Sequence, residues 1–159
     1  MILTYEHLLG RGFEHGKQDC YSLVRDFYQD NFGLTLTDYA RPDDWWWSGL
    51  NLYADNFHTE GFRVVDDHPR DYRPADLFLI AVKSEVPNHA AIHLGDGRIL
   101  HHFYGRFSEV IPYKGIWRNN TTAVIRHKDV PDLRKALHQV DLREFLPAHK
   151  RRLIDDALE

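Results

Sequence analysis

Apolar and polar positions change period along this chain. Cys20, Leu23, Val24, Phe27 and Tyr28 fall at i, i+3, i+4, i+7 and i+8, one stripe of an amphipathic helix. Gly16 breaks the chain before the stripe, Asp19 is a good N-cap and Gly33 follows, so a helix is predicted over about 20–31. Residues 4–9 predict a short first helix stopped by Gly10 and Gly12. Pro42-Asp43-Asp44 reads as another helix start, and Leu50, Tyr53, Ala54 and Phe57 keep helical spacing towards Gly61. The same stretch carries Trp45, Trp46 and Trp47, read as core or cap packing, with the wall of a binding groove as the alternative.

From Ala75 the period changes. Residues 77–82 form a continuous apolar run, read as a buried strand. Two short strands, 89–94 and 98–103, flank Gly95-Asp96-Gly97, a strong hairpin signal. Further strands are expected near 110–113 and 121–126. Helices first and strands after point to an α+β fold with an antiparallel sheet. After Val130 the pattern turns helical again, with Leu133, Ala136, Leu137 and Val140 on one stripe and Leu153, Ile154, Ala157 and Leu158 on another. The expected organisation is one domain over 1–130 and a helical extension over 131–159.

Composition narrows the function. A chain of 159 residues fits a single core, and 13% aromatics supply material for it and for a lined groove. The net charge of −4 argues against nucleic acid as a partner. The run 77–82 is too short to insert into a bilayer, and residues 1–7 lack the basic-then-apolar pattern of a secretory leader. A soluble protein without a leader is the expectation. One cysteine excludes an internal disulfide.

A lone cysteine is usually a small buried hydrophobe. Cys20 differs by its place in the first turn of a helix, where unpaired N–H groups favour a thiolate. The expectation is a reactive, partly exposed thiol with a lowered pKa. A cysteine nucleophile needs a base, and the base an orienting partner. The hairpin offers His89, His93, His101 and His102. With a loop of Gly95 to Gly97, paired positions sum to 192, so Ala91 faces His101 and His89 shares their face. A one-residue slip would send His101 to the other side and bring His102 or Asn88 forward as candidates. Small Ala91 is expected to leave room for the cysteine helix on that face, and His102 to point away from it. A zinc site of His89, His93 and His101 is a weaker reading, because their i, i+4 spacing is a helical signature. His7, His58, His68, His127, His138 and His149 are read as surface residues.

Gly16-x-x-Asp19-Cys20-x-x-Leu23-Val24, Ala75-Asp76-Leu77 and His89-x-x-Ile92-x-Leu94-Gly95-Asp96-Gly97-x-Ile99-x-His101 together resemble the NlpC-type cysteine peptidases, over residues 1–127. Gly10-x-x-Phe13-x-x-Gly16, Pro42-Asp43-Asp44-Trp45 and Leu100-His101-His102 resemble the members found in phage tails. The resemblance implies a papain-like α+β fold and cleavage of cell-wall stem peptides, typically beside D-glutamate and diaminopimelate. It implies Cys20 as nucleophile, His89 as base and His101 as orienting residue, with no metal or cofactor. Asp19, Ser22, Ala91 and His93 are the expected substrate-binding residues. The implied partners are peptidoglycan peptides and other phage tail proteins, in a virion tail or in the host cytoplasm during assembly. A structural role in the tail, with vestigial activity, is the alternative, and acyl transfer by the same triad is another. Glycine is usual in the family where Ala75 and Ala91 stand. Many members carry a tyrosine near position 13 whose hydroxyl serves the oxyanion hole. Phe13 cannot donate, which leaves the backbone N–H of Cys20 with His15 or Tyr5 as substitute donors.

Overall fold

A computed structural model describes residues 1–134. Beyond Arg134, the helical extension expected over 131–159 lies outside the described residues.

The main helix, α1, spans Cys20–Phe32. Its start is a reciprocal cap: Asp19 Oδ1 accepts from the Ser22 N–H at 3.0 Å, and Ser22 Oγ accepts from the Asp19 N–H at 2.7 Å. Its end is Gly33 in the left-handed region, whose N–H returns to the Gln29 carbonyl. The first predicted helix contracts to a single 3-10 turn at Glu6–Leu8. The stretch read as one helix up to Gly61 divides into a 3-10 turn at Trp45–Trp47 and a short α2 at Leu52–Asn56. Asn51 accepts from the Ala54 N–H and so starts α2 afresh.

Six antiparallel strands follow: β1 Phe62–Val64, β2 Leu77–Ile80, β3 His89–His93, β4 Arg98–His101, β5 Glu109–Pro112 and β6 Thr121–His127, in spatial order β1-β6-β2-β3-β4-β5. A further short helix, α3, spans Ile116–Asn119. The edge strand β1 was not foreseen; three residues are too few to show a period. The hairpin register is the even one, with Ala91 paired to His101 and His93 to Ile99.

The sheet is covered on both faces. Leu23, Val24 and Phe27 of α1 pack with Ala90, Ile92 and Leu100. Burying each of these side chains other than that of Ala90 stabilises the fold by about 2 kcal/mol. Ala91 is buried in the opposite layer with Phe78, Ile80, Ile99 and Val124, against Tyr113 and Trp117. The expectation that α1 packs on the Ala91 face is therefore corrected. The helix uses the even positions of β3, whose side chains alternate in direction along the strand. Asp76, fully buried on the approach to β2, accepts two bonds from Arg126 of β6 at 2.7 and 2.8 Å. His127 is buried against Phe62 and Tyr28, not on the surface as expected.

Candidate active site

Cys20 is the first residue of α1 and is partly exposed. It sits where the helix start meets the beginning of β3, near the Ala90 N–H. His89 is the first residue of β3 and belongs to the face away from α1, at the strand end that opens on the cleft. Its Nε2 lies 3.0 Å from His101 Nδ1, so one of these nitrogens donates and the other accepts. His101 is fully buried, with Trp117 edge-on at 4.6 Å and Phe103 also packed on the pair. His89 and Cys20 line one open cleft of about 270 Å³, just under the usual size of a small-ligand site.

Charge at this site is held down. Burial pushes the His89 pKa well below that of a free imidazole, and the nearby His101 and His102 add to the effect. Burial likewise lowers His101 to about 4. Burial, followed by the Asp19 carboxylate, pushes the Cys20 thiol up to about 11, against the smaller opposing effects of Tyr53, the Ala90 N–H and Arg41. The expected lowering of the thiol is thus overturned: desolvation outweighs the helix start. Both shifts favour the uncharged forms, the Cys20 thiol and the His89 imidazole.

Of the four expected substrate-binding residues, the structure brings only Asp19 to the cleft. Asp19 is buried and paired with buried Arg41 at 2.8 Å. Ser22 is consumed by the helix cap, and Ala91 is sealed between the sheet and its far layer. His93 stacks on Phe78 and bonds the Arg73 carbonyl at 3.0 Å, because odd positions of β3 point away from α1. His89, His93 and His101 therefore do not converge. Among the described residues no group of three or more His, Cys, Asp or Glu is arranged to hold a metal ion.

Several cleft residues escaped the sequence reading. Tyr53 places its hydroxyl 3.3 Å from Cys20 Sγ, and burial raises its pKa well above the ordinary value, so it stays a neutral donor. The sequence shows it only as part of the helical spacing from Leu50 to Phe57. Arg41 also reaches the Gly16 carbonyl at 2.9 Å and bridges the chain before Cys20 to the next segment. His102 lines the cleft instead of pointing away; β4 ends at His101, and beyond it strand alternation no longer applies. Phe13 and His15 also line the cleft, whereas Tyr5 does not. The tryptophans divide: Trp45 is core, Trp47 is 70% exposed, and all three contribute to the cleft wall.

Residues 10–126 match the model of the NlpC/P60 family. Over 122 residues the chain is 43% identical to tail tip assembly protein K of Escherichia phage lambda, covering 77% of this chain and 60% of that protein. Over 128 residues it is 39% identical to tail tip assembly protein K of Escherichia phage N15, covering 77% of this chain and 50% of that one. The chain thus spans between half and two thirds of these relatives. The crystal structure of an NLP/P60-family protein similar to a lipoprotein, from Staphylococcus aureus, superposes with a TM-score of 0.54 at 16% identity, over 76% of this chain and 37% of that one. That likeness concerns the fold.

Proposed function

The chain belongs to the NlpC/P60 family, and on that premise we propose that it is a cysteine peptidase of bacterial cell-wall peptides, carried by a phage tail. One observation carries the reading: a helix-start cysteine lines the same cleft as His89, which is bonded at 3.0 Å to the buried His101 behind it. His89 uses Nε2 for His101, which leaves Nδ1 for the thiol. As Cys20 Sγ attacks the scissile carbonyl carbon, its proton passes to His89 Nδ1. The developing oxyanion accepts from the Cys20 N–H and from the Tyr53 hydroxyl, in place of the donor that Phe13 lacks. When the C–N bond breaks, the leaving amine takes the proton from His89. Water then attacks the thioester with His89 as base, and Cys20 leaves as the thiol. With the thiol raised to about 11, proton transfer accompanies attack instead of preceding it.

The relatives' role in tail tip assembly supports other tail proteins as partners and the virion tail as location. The D-glutamyl-diaminopimelate linkage is the proposed scissile bond. The buried Asp19–Arg41 pair lines the same cleft and holds the chain just before Cys20. A structural tail role with vestigial activity is the second reading, favoured by the raised thiol and by Phe13. Mass spectrometry of purified stem peptides incubated with the protein decides between them. Cleavage that Cys20→Ala abolishes is expected, and intact peptides with both proteins would leave the structural reading.

A further inference from the structure

His89 can serve as base at Nδ1 only if its own proton sits on Nε2 and is donated to His101 Nδ1. His101 must then carry its proton on Nε2. That nitrogen is fully buried and has no hydrogen-bond partner. The opposite tautomer of His101 would donate from Nδ1, force the His89 proton onto Nδ1 and block the base. A buried unpaired N–H is unfavourable, so something must hold the productive arrangement. The position opposite His101 on β5 is Glu109. Directly paired residues project to the same side of the sheet. Glu109 Oε1 lies 3.7 Å from His101 Nε2, too far for a hydrogen bond. Its side chain is 43% exposed and has room to turn, whereas that of His101 has none. The other polar neighbours are unsuited. His102 Nε2 donates to the Arg106 carbonyl at 3.1 Å, its Nδ1 is also without a partner and so makes no bond to His101 Nε2, and the Arg106 side chain is a donor only.

We propose that Glu109 is a positioning residue that accepts from His101 Nε2–H and so fixes the tautomers of His101 and His89. The contacts run from Glu109 to His101 at 3.7 Å and from His101 to His89 at 3.0 Å, and His89 shares its cleft with Cys20, whose proton it takes in catalysis. This rests on the peptidase reading for its consequence, but not for its test. Nitrogen-15 long-range NMR of histidine-labelled protein near pH 7 reads the tautomer without any turnover. The wild type should show His101 protonated at Nε2. Glu109→Gln, which keeps an acceptor oxygen, should show the same. Glu109→Ala should populate the Nδ1–H form and lower kcat on the stem peptides about tenfold with KM unchanged. His101 protonated at Nδ1 in the wild type would overturn the proposal. So would an Ala variant with unchanged tautomer, or a Gln variant that behaves as the Ala one. Absence of cleavage in the wild type would bear on the peptidase reading and leave the tautomer result standing.

Discussion

At the scale of single residues, Cys20 is governed by desolvation. Its thiol, raised to about 11, is almost wholly protonated at neutral pH, and the thiolate population grows as pH rises towards that value. Iodoacetamide labelling should therefore be slow at pH 7 and still accelerating above pH 9 (the free thiol titrates near about 8.5). A plateau reached below pH 8 would mean a preformed thiolate–imidazolium pair. Tyr53→Phe removes the hydroxyl beside the sulfur, and loss of one oxyanion donor raises the barrier by about 3 kcal/mol. Its kcat on stem peptides should fall about a hundredfold with KM little changed; unaltered kcat would remove Tyr53 from the mechanism. Cys20, His89 and His101 were legible in the sequence because an N-cap pattern and a hairpin parity are local. Tyr53, Arg41 and His102 were not, because each reaches the cleft from a segment whose path only tertiary packing decides.

At the scale of elements, the hairpin between β3 and β4 places the histidine pair. Gly95 has φ +95°, and a Cβ there would come within 2.5 Å of Pro74 Cγ. Gly95→Ala combines backbone strain with that clash and should destabilise the fold by about 1–3 kcal/mol. The urea midpoint measures this, and an unchanged midpoint would mean the loop tolerates a shift. The even register was predictable because a three-residue loop leaves one parity. The side on which α1 packs was not, since β3 is apolar at Ala90, Ala91 and Ile92 on both faces and alternation carries no preference there. The aromatic stretch misled for a related reason: helical spacing at 50–57 could not reveal that Asn51 restarts the helix.

At the scale of the whole molecule, five buried histidines among the described residues have pKa values lowered mainly by burial: His89, His93, His101, His102 and His127. The unfolded chain binds their protons near pH 6.5, whereas the folded one resists. Stability is then complete above about 6.5 and is lost as pH falls through the folded values. His101 alone, at about 4, contributes about 3 kcal/mol of this dependence. Urea midpoints should drop steeply between pH 6.5 and 4, and a flat profile over that range would contradict neutral burial. The described fold reaches Arg134, where Leu133 is buried and Asp132 pairs with Arg73 at 3.5 Å. A chain ending at Arg134 should keep its melting temperature and its cleavage of stem peptides. Loss of cleavage with melting retained would make the remaining 25 residues, 135–159, part of the groove.

The Trp117 ring, edge-on to His101 at 4.6 Å and tilted over His89 at 5.6 Å, turns the histidine pair into something light can report on. A protonated imidazole takes an electron from an excited indole and quenches its glow, whereas a neutral one does so weakly. Replacing Trp45, Trp46 and Trp47 with phenylalanine would leave Trp117 as the sole tryptophan, which light absorbed by indole and not by the tyrosines excites selectively. Its brightness would then register each proton arriving at the pair, in real time and without a label.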